Sequence, residues 1–453
     1  MVGSAMERPA PTAVKRRRVD AMTLLTWYTF LLMIIPAPLQ FAPLGGAGSP
    51  ATIFAALLFC WYLVTWLHPA LAPERGFQPV RRAAIAFGCA IIATYVSVNR
   101  QPLPTLELNG ADRGLILTFG WLGVLLLAAD GIDSIERLNI LLRRIALGAT
   151  AMAVLAAVQF FTGLNAAKYV VIPGLTSQQP LSDLAIRGSL YRPSATAGTP
   201  IELAAVLAVC LPLALHQARF APPEMRLRRW IQVAVIGMAL PMTLSRTGIV
   251  ATVTVALVVI PTWPRKERLF ACLTGALAVV AMWATIPGLA GTFASLFSEV
   301  GSDASSTSRT GAFSLAAPLI AEHPWLGHGF GTLLPQTYFF TDDQYLNSLI
   351  ATGIIGLFAL LALFATAWFT ARSTRRASTD PEIRDLAQCL AAGVAASAAA
   401  FATLDAFSFM IISGITFMLM GCVGALWRMT RSRASRPLTR GEDGPVPAGL
   451  HGF

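Results

Sequence analysis

The chain has 453 residues, of which 55% are hydrophobic and 13% are charged, and its mean hydropathy is +0.63. This composition excludes an ordinary soluble domain and indicates an integral membrane protein. The net charge of +11 comes without a surface on which basic and aromatic residues cluster. A nucleic-acid partner is therefore not expected, and the charge is interpreted as topology and attraction to membrane lipids.

Apolar runs long enough to cross a hydrocarbon core of about 30 Å as helices recur along the chain. We predict an all-α fold, a polytopic membrane helix bundle of about twelve transmembrane helices. The predicted spans are 21–39, 51–67, 83–98, 113–129, 145–162, 201–218, 230–245, 248–263, 269–287, 346–370, 385–403 and 406–427. Together they define a predicted transmembrane domain over 21–428, between tails at 1–20 and 429–453 whose composition is typical of disordered segments.

Basic residues mark alternate connections between these spans, as at Arg81-Arg82, Arg228-Arg229 and Arg375-Arg376. Because Lys and Arg accumulate on cytoplasmic segments, both termini are predicted to be cytoplasmic. The alternative is a secretory signal peptide that begins with the basic segment at 15–18. Its apolar region is long for a signal, and cleavage near Pro50 is disfavoured.

The cysteines and glycines exclude several kinds of chemistry. All 6 cysteines lie inside predicted spans, so neither disulfides nor a thiolate-zinc site is expected. The chain also lacks a Gly-Lys-Ser loop that binds phosphate. No metal or nucleotide cofactor is predicted.

Two long loops lie on the predicted outer side, at about 163–200 and at about 288–345 between the ninth and tenth helices. Loops longer than about 15 residues are usually functional or disordered. The second is predicted to be ordered, because 314–320 has helical apolar spacing and Pro324-Trp325 is followed by glycines at 327, 329 and 331.

The segment Thr243-Leu-Ser-Arg-Thr-Gly248 interrupts an apolar stretch that is too long for one crossing. It predicts two helices that meet in a tight outer turn bearing Arg246, which can also be explained as an interfacial anchor. Arg187, Arg192 and Arg309 share the outer side with Arg246. Several guanidinium groups suit a phosphate or pyrophosphate, which on this face would belong to a lipid-linked sugar.

Six segments, in this order and on this side, resemble the O-antigen ligase and O-antigen polymerase superfamily. They are Arg192-Pro-Ser-Ala-Thr-Ala-Gly198, Leu244-Ser-Arg-Thr-Gly248, Ser308-Arg309, and His323-Pro-Trp-Leu-Gly-His-Gly-Phe-Gly331 with Asp342-Asp-Gln-Tyr-Leu and Gly353-Ile-Ile-Gly356. Members of this family transfer a glycan from undecaprenyl pyrophosphate to an acceptor hydroxyl outside the bacterial cytoplasmic membrane. The resemblance implies a multi-pass glycosyltransferase with an outward-facing site, no cofactor, and a glycan, lipid or protein as acceptor.

By position, the resemblance implies that Arg192, Arg246 and Arg309 hold the pyrophosphate, with Arg246 and Arg309 among the catalytic residues. Ligases of the family have a His-Asn pair where this chain has Asp342-Asp343, and this departure weakens the ligase assignment relative to a polymerase. Asp342 is predicted to accept the acceptor's proton in an inverting transfer, as a weak general base at an ordinary pKa near 3.9. The arginines would stabilise the departing pyrophosphate.

The predicted substrate-binding set is Arg187, Tyr191, Arg192, His328, Asp343 and Tyr345. Asp343 and Asp342 have an alternative role as caps of the helix that begins near Tyr345. His328 and His323 are alternatively loop hydrogen-bonding residues or the base itself. Asp405, at an outer helix end, is interpreted as a solvated cap.

Two other functions fit the spans. A transporter or flippase for lipid-linked saccharides is expected to place charged residues near the middle of the bilayer, and the predicted spans have almost none. A non-catalytic scaffold leaves the outer arginines unexplained.

Overall fold

The computed structural model describes residues 20–67, 76–100, 102, 104–177, 183–298, 304–334, 337–339 and 342–434. Within them the chain forms the α-helices α1 Ala21–Ile34, α2 Pro50–Leu67, α3 Pro79–Val98, α4 Thr105–Gly131, α5 Ile135–Thr162, α6 Pro200–Arg219, α7 Pro223–Met242, α8 Arg246–Val259, α9 Arg265–Thr285, α10 Leu289–Ser298, α11 Ala304–Glu322, α12 Gln344–Ala377, α13 Pro381–Phe401 and α14 Met410–Ala434. Four short strands form two antiparallel pairs, β1 Leu39–Gln40 with β2 Thr176–Ser177 and β3 Ala185–Arg187 with β4 Leu190–Arg192.

Every predicted span overlaps one of these helices, although α1 ends at Ile34 and α8 ends at Val259, before the ends of the predicted spans. In the described residues, 8 helices are long and apolar enough to cross a membrane, namely α2, α3, α4, α5, α6, α9, α12 and α14. This supports an all-α membrane bundle. The exact number of crossings and the sidedness of the loops stay predictions, as do the domain boundaries, and most of each tail lies outside the described residues.

The core lies along α4, α6 and α14, which are the most buried of the spanning helices. Trp121 of α4 stacks on Phe407 at 4.7 Å and on Phe417 of α14 at 5.5 Å between ring centroids. Phe330, from the long loop after α11, meets Trp121 edge-on at 6.2 Å. The central helices and this loop are therefore packed into one aromatic cluster, which large, rigid rings stabilise through buried area.

Residues 323–331, which we call the glycine loop, dock on a kink in α12. The kink lies at Gly353, whose φ of 64° is left-handed. The amides of His328 and Gly329 donate to the carbonyls of Ile350 and Ala351, at 3.0 and 2.8 Å, and the amide of Ile354 donates to Pro324 at 2.9 Å. The predicted fixed turn is thus confirmed, and backbone groups freed by the kink are satisfied by the loop.

The other end of the glycine loop lies against α4. A Cβ on Gly331 would lie 2.2 Å from the carbonyl oxygen of Gly110, and a Cβ on Gly110 would lie 2.3 Å from the carbonyl oxygen of Gly331. Two glycines facing each other allow this approach, which no side chain permits. The loop therefore bridges α4 and α12 as a rigid part of the fold.

Candidate active site

Arg187 and Arg192, in the loop between α5 and α6, lie on a hairpin formed by β3 and β4, which we call the arginine hairpin (residues 185–192). Arg187 Nη1 donates to the carbonyl oxygen of Leu244 at 3.2 Å, and Arg192 Nε donates to that of Thr243 at 3.3 Å. Both carbonyls immediately precede α8, which begins at Arg246. The structure therefore brings the hairpin arginines to the turn that carries Arg246, and the predicted tight turn between two helices is confirmed.

The positive charges of Arg187 and Arg192 repel each other. Burial, and then the positive charge of Arg187, lower the pKa of Arg192 to about 10. Arg192 is still protonated at neutral pH, but its charged form is destabilised in the folded protein. An anion bound between the two guanidinium groups would remove that destabilisation.

The backbone is strained on both sides of the arginine cluster. Leu244, two residues before Arg246, has a φ of 49°, and Ala195, three residues after Arg192, has a φ of 52°. A left-handed backbone conformation is energetically unfavourable for a branched residue such as leucine. Such conformations are concentrated at functional sites. The loop around Ala195 is held by Gln159 of α5, whose Oε1 accepts from the amides of Ser194 and Ala195 at 3.1 and 2.7 Å.

The connector between α13 and α14 (residues 402–409) joins the arginine side of the site to the carboxylate side. The Thr247 hydroxyl, in the first turn of α8, donates to the carbonyl oxygen of Thr403 at 3.3 Å. From the first turn of α12, Asn347 Nδ2 donates to Asp405 Oδ1 at 3.2 Å. The starts of α8 and α12 therefore both contact the connector.

Asp405 is the main residue whose environment differs from the sequence prediction. The prediction is a solvated cap, but Asp405 is half-buried and its carboxylate accepts hydrogen bonds from Asn347 and Ser408. Burial raises the pKa of Asp405 to about 6, the Ser408 hydroxyl opposes this, and the negative charge of Asp342 adds to it. The interpretation as a solvated cap is therefore wrong. An acid flanked by apolar residues at the junction of two spans is the signal that could have identified it.

The predicted carboxylate pair divides into two environments. Asp343 Oδ1 accepts from the amides of Tyr345 and Leu346 at 2.8 and 3.4 Å, so it caps α12 as the alternative interpretation expected. Asp342 is half-buried and lies close enough to Asp405 for their charges to interact. Asp342 therefore lies near a carboxylate that is distant from it in the sequence.

The remaining predicted residues have structural contacts of their own. The Tyr345 hydroxyl donates to the carbonyl oxygen of Ala398 at 2.8 Å, and His328 Nε2 lies 2.9 Å from that of Leu319. The ring of Tyr191, which is 40% exposed, covers Gly163 at the end of α5. A hydrogen-bonding role for His328 in the loop is thus observed, and substrate contacts of these three residues stay predictions.

Arg309 lies in α11, and its side chain lies outside the described residues. The predicted convergence of Arg192, Arg246, Arg309 and Asp342 in one cavity therefore stays a prediction. The described contacts connect Arg192 to the turn of Arg246, and connect the start of α8 to the loop of Asp405.

These features define a helical membrane protein with an arginine cluster and a pair of interacting carboxylates built on helix ends. The family model for O-antigen ligase matches residues 231–361, from α7 into α12. The matched region includes the turn at Arg246, the glycine loop and Asp342. The match confirms the resemblance to the O-antigen ligase and polymerase superfamily and supports a role in surface polysaccharide biosynthesis as a glycosyltransferase-like enzyme. A comparison with curated proteins gives no match.

Proposed function

We propose that this protein transfers a glycan from undecaprenyl pyrophosphate to an acceptor hydroxyl on the outer face of the cytoplasmic membrane, as a surface polysaccharide polymerase or ligase. The observation that carries the proposal is the contact of the arginine hairpin with the turn before Arg246. This turn lies inside the region that is similar to O-antigen ligase. Both termini would be cytoplasmic and the site would face outward. The acceptor would be a glycan, a lipid or a protein.

The arginine cluster supports a pyrophosphate-linked donor. Arg246 occupies the first position of α8, where the helix dipole disfavours a cation, and the first turn contains no acidic residue. Arg187 and Arg192 add two further guanidinium groups to the same turn. Such a concentration of positive charge favours a dianionic ligand, and planar guanidinium groups can bind its oxygens in pairs.

The carboxylates support an acceptor hydroxyl as the second substrate. In the proposed step, Asp342 accepts the acceptor's proton as its oxygen attacks the anomeric carbon, and the bond from that carbon to the pyrophosphate oxygen breaks. Attack opposite the leaving group inverts the anomeric configuration. Undecaprenyl pyrophosphate leaves with the bonding electron pair, and the arginines stabilise its negative charge. No metal is required for this step.

Asp405 would assist Asp342 in this reaction. Two nearby carboxylates can hold one proton between them, because ionisation of the first disfavours ionisation of the second. The raised pKa of Asp405, about 6, lies closer to neutral pH than an ordinary carboxyl group. Asp405 is therefore proposed as the group that receives the proton from Asp342, and Asn347 holds it in place through the 3.2 Å hydrogen bond.

The test is a reconstituted transfer assay with an undecaprenyl-pyrophosphate glycan extracted from the native host. We expect Asp342→Asn to lose transfer by about 100-fold or more, as for removal of a general base. The control Asp183→Asn changes a carboxylate of the outer loop whose side chain is 97% exposed, and it should retain activity. A ladder of products would identify a polymerase and a single conjugate a ligase.

A second pair of variants tests the arginines separately. Arg246→Lys keeps the charge but cannot bind a pyrophosphate through two donors, so we expect transfer to fall at least about tenfold. Arg100→Lys, at an exposed position on the predicted outer side, is the matched control. Full activity of Arg246→Lys would make Arg246 an interfacial anchor, and no transfer by folded wild-type protein with verified donor and acceptor would refute the proposed function.

A further inference from the structure

A second cluster of reactive side chains lies at the opposite end of α6 from the arginine hairpin. His216, in the last turn of α6, places Nδ1 2.8 Å from Oδ2 of Asp385 in α13. Cys389 Sγ lies 3.7 Å from the same oxygen. His216, Asp385 and Cys389 are 2%, 8% and 1% exposed, and their three ligand atoms lie within 4.8 Å of one another.

The helix geometry explains why these atoms meet. Asp385 and Cys389 are separated by four positions on α13, so their side chains lie on one face of the helix. That face packs against α6, which supplies the histidine. The three groups are therefore fixed by two packed helices rather than by a loop.

The spacing approaches that of a tetrahedral zinc site. Bonds of about 2.0–2.1 Å to nitrogen and oxygen and about 2.3 Å to sulfur place neighbouring ligands about 3.3–3.6 Å apart. Binding would separate His216 Nδ1 from Asp385 Oδ2 by about 0.5 Å and bring Cys389 Sγ about 0.2 Å closer to it. The third pair, His216 Nδ1 and Cys389 Sγ, is separated by at most 4.8 Å and must lie about 3.6 Å apart in such a site, so binding requires side-chain rotations that move these atoms by up to about 1.2 Å.

Arg219 leaves the required carboxylate oxygen available. It forms an ion pair with Oδ1 of Asp385, whereas Oδ2 faces His216 and Cys389. Arg219 is also held by Glu267 at 2.8 Å and by the ring of Trp263, whose centroid is 4.6 Å from its guanidinium carbon. A carboxylate with one oxygen on an arginine and the other on a metal is an ordinary second-shell arrangement.

We propose that His216, Asp385 and Cys389 bind one zinc-class divalent ion that links α6 to α13. On binding, the Cys389 thiol releases its proton to solvent, and the His216 proton moves from Nδ1 to Nε2 so that Nδ1 can donate its lone pair. The ion, the thiolate and the carboxylate then sum to zero charge. Around them, Arg219 and Glu267 cancel each other, and Arg375 adds one positive charge that interacts with Asp385 and Cys389. A neutral cluster is the form that a low-dielectric helix bundle favours.

This site is separate from the proposed glycan-transfer site. About 16 residues of α6 lie between Pro200 and His216, which corresponds to about 24 Å of helix. The ion would stabilise the bundle and take no part in the transfer step. It would also correct the expectation that the positions of the cysteines exclude a thiolate-zinc site.

The test measures bound metal in the full chain, purified in lipid nanodiscs after equilibration with Zn²⁺ and removal of the excess. We expect about one zinc per chain in the wild type and less than about a tenth of that in Cys389→Ser, by analogy with sites of three protein ligands. Cys422→Ser is the matched control, because Cys422 is equally buried, in α14, and lies outside the cluster. It should keep the full zinc content.

Cobalt substitution gives a readout that does not depend on stability. Co²⁺ bound to the wild type should show a thiolate-to-metal charge-transfer absorption that Cys389→Ser lacks and Cys422→Ser retains. His216→Gln should weaken binding while keeping the thiolate band at high Co²⁺. Absence of zinc and of the cobalt band from the wild type, or equal zinc in the two cysteine variants, would show that the cluster is a hydrogen-bonded ion network.

Discussion

The rigid attachment of the glycine loop to α12 can be tested by Gly353→Ala. The added Cβ would lie 2.4 Å from both the carbonyl carbon and oxygen of Trp325, where non-bonded contacts are about 3.5 Å. The backbones must therefore separate by about 1 Å, and the hydrogen bonds from Ile354 to Pro324 and from Ile355 to Trp325 would break. Loss of two hydrogen bonds costs about 1–3 kcal/mol, and alanine at a φ of 64° costs about 1–2 kcal/mol more.

The total destabilisation of about 2–5 kcal/mol should make local opening of the glycine loop more frequent. We expect hydrogen exchange in the glycine loop to accelerate at least about 30-fold in nanodiscs. The matched control is Gly237→Ala in α7, where an added Cβ meets no atom within 4 Å, so this variant should be neutral or slightly stabilising. Equal exchange in the two alanine variants would refute the reasoning.

Three further variants test the site. Asp343→Ala removes the cap of α12 and should lower the free energy of unfolding by about 1 kcal/mol, as measured by denaturant titration. Arg192→Lys should lower transfer at least about tenfold, because an ammonium group cannot bind two phosphate oxygens in the same geometry, and the transfer assay measures this. Because burial raises the pKa of Asp405 from 3.8 to about 6, its protonated form is favoured in the folded state. The stabilising contribution of protonated Asp405 is complete below about pH 4 and is lost as pH rises to about 6. The free energy of unfolding of Asp405→Asn should therefore rise by about 3 kcal/mol relative to that of the wild type between pH 4 and pH 7.

The helices and the shape of the glycine loop were predictable because their signals are local. Hydropathy places the spans, and the interruption at 243–248 places the turn before α8. Glycines at 327, 329 and 331 all have positive φ, at 66°, 112° and 91°. A requirement for positive φ can be predicted from the local sequence, because only glycine adopts these conformations without strain.

Contacts between distant segments could not be predicted in the same way. Nothing near Asp405 in the sequence indicates that Asn347 and Asp342 lie beside it, since they belong to a different helix and its preceding loop. His216, Asp385 and Cys389 were likewise separate residues at predicted span ends. The packing of α6 on α13 brings them together, and one sequence contains no direct signal for that packing.

In the proposed mechanism, the helix ends would place anion binding and acid–base chemistry on different sides of the site. Asp343 caps the start of α12, and Glu202 accepts the amide of Ile411 at the start of α14 at 2.8 Å. At the start of α8, by contrast, Ser245 makes no side-chain capping hydrogen bond. Among these three helix starts, α8 is therefore the one whose amides and dipole favour an external anion. The hairpin arginines contact that same turn, so the pyrophosphate is expected at α8 and the acceptor hydroxyl at the carboxylates near α12.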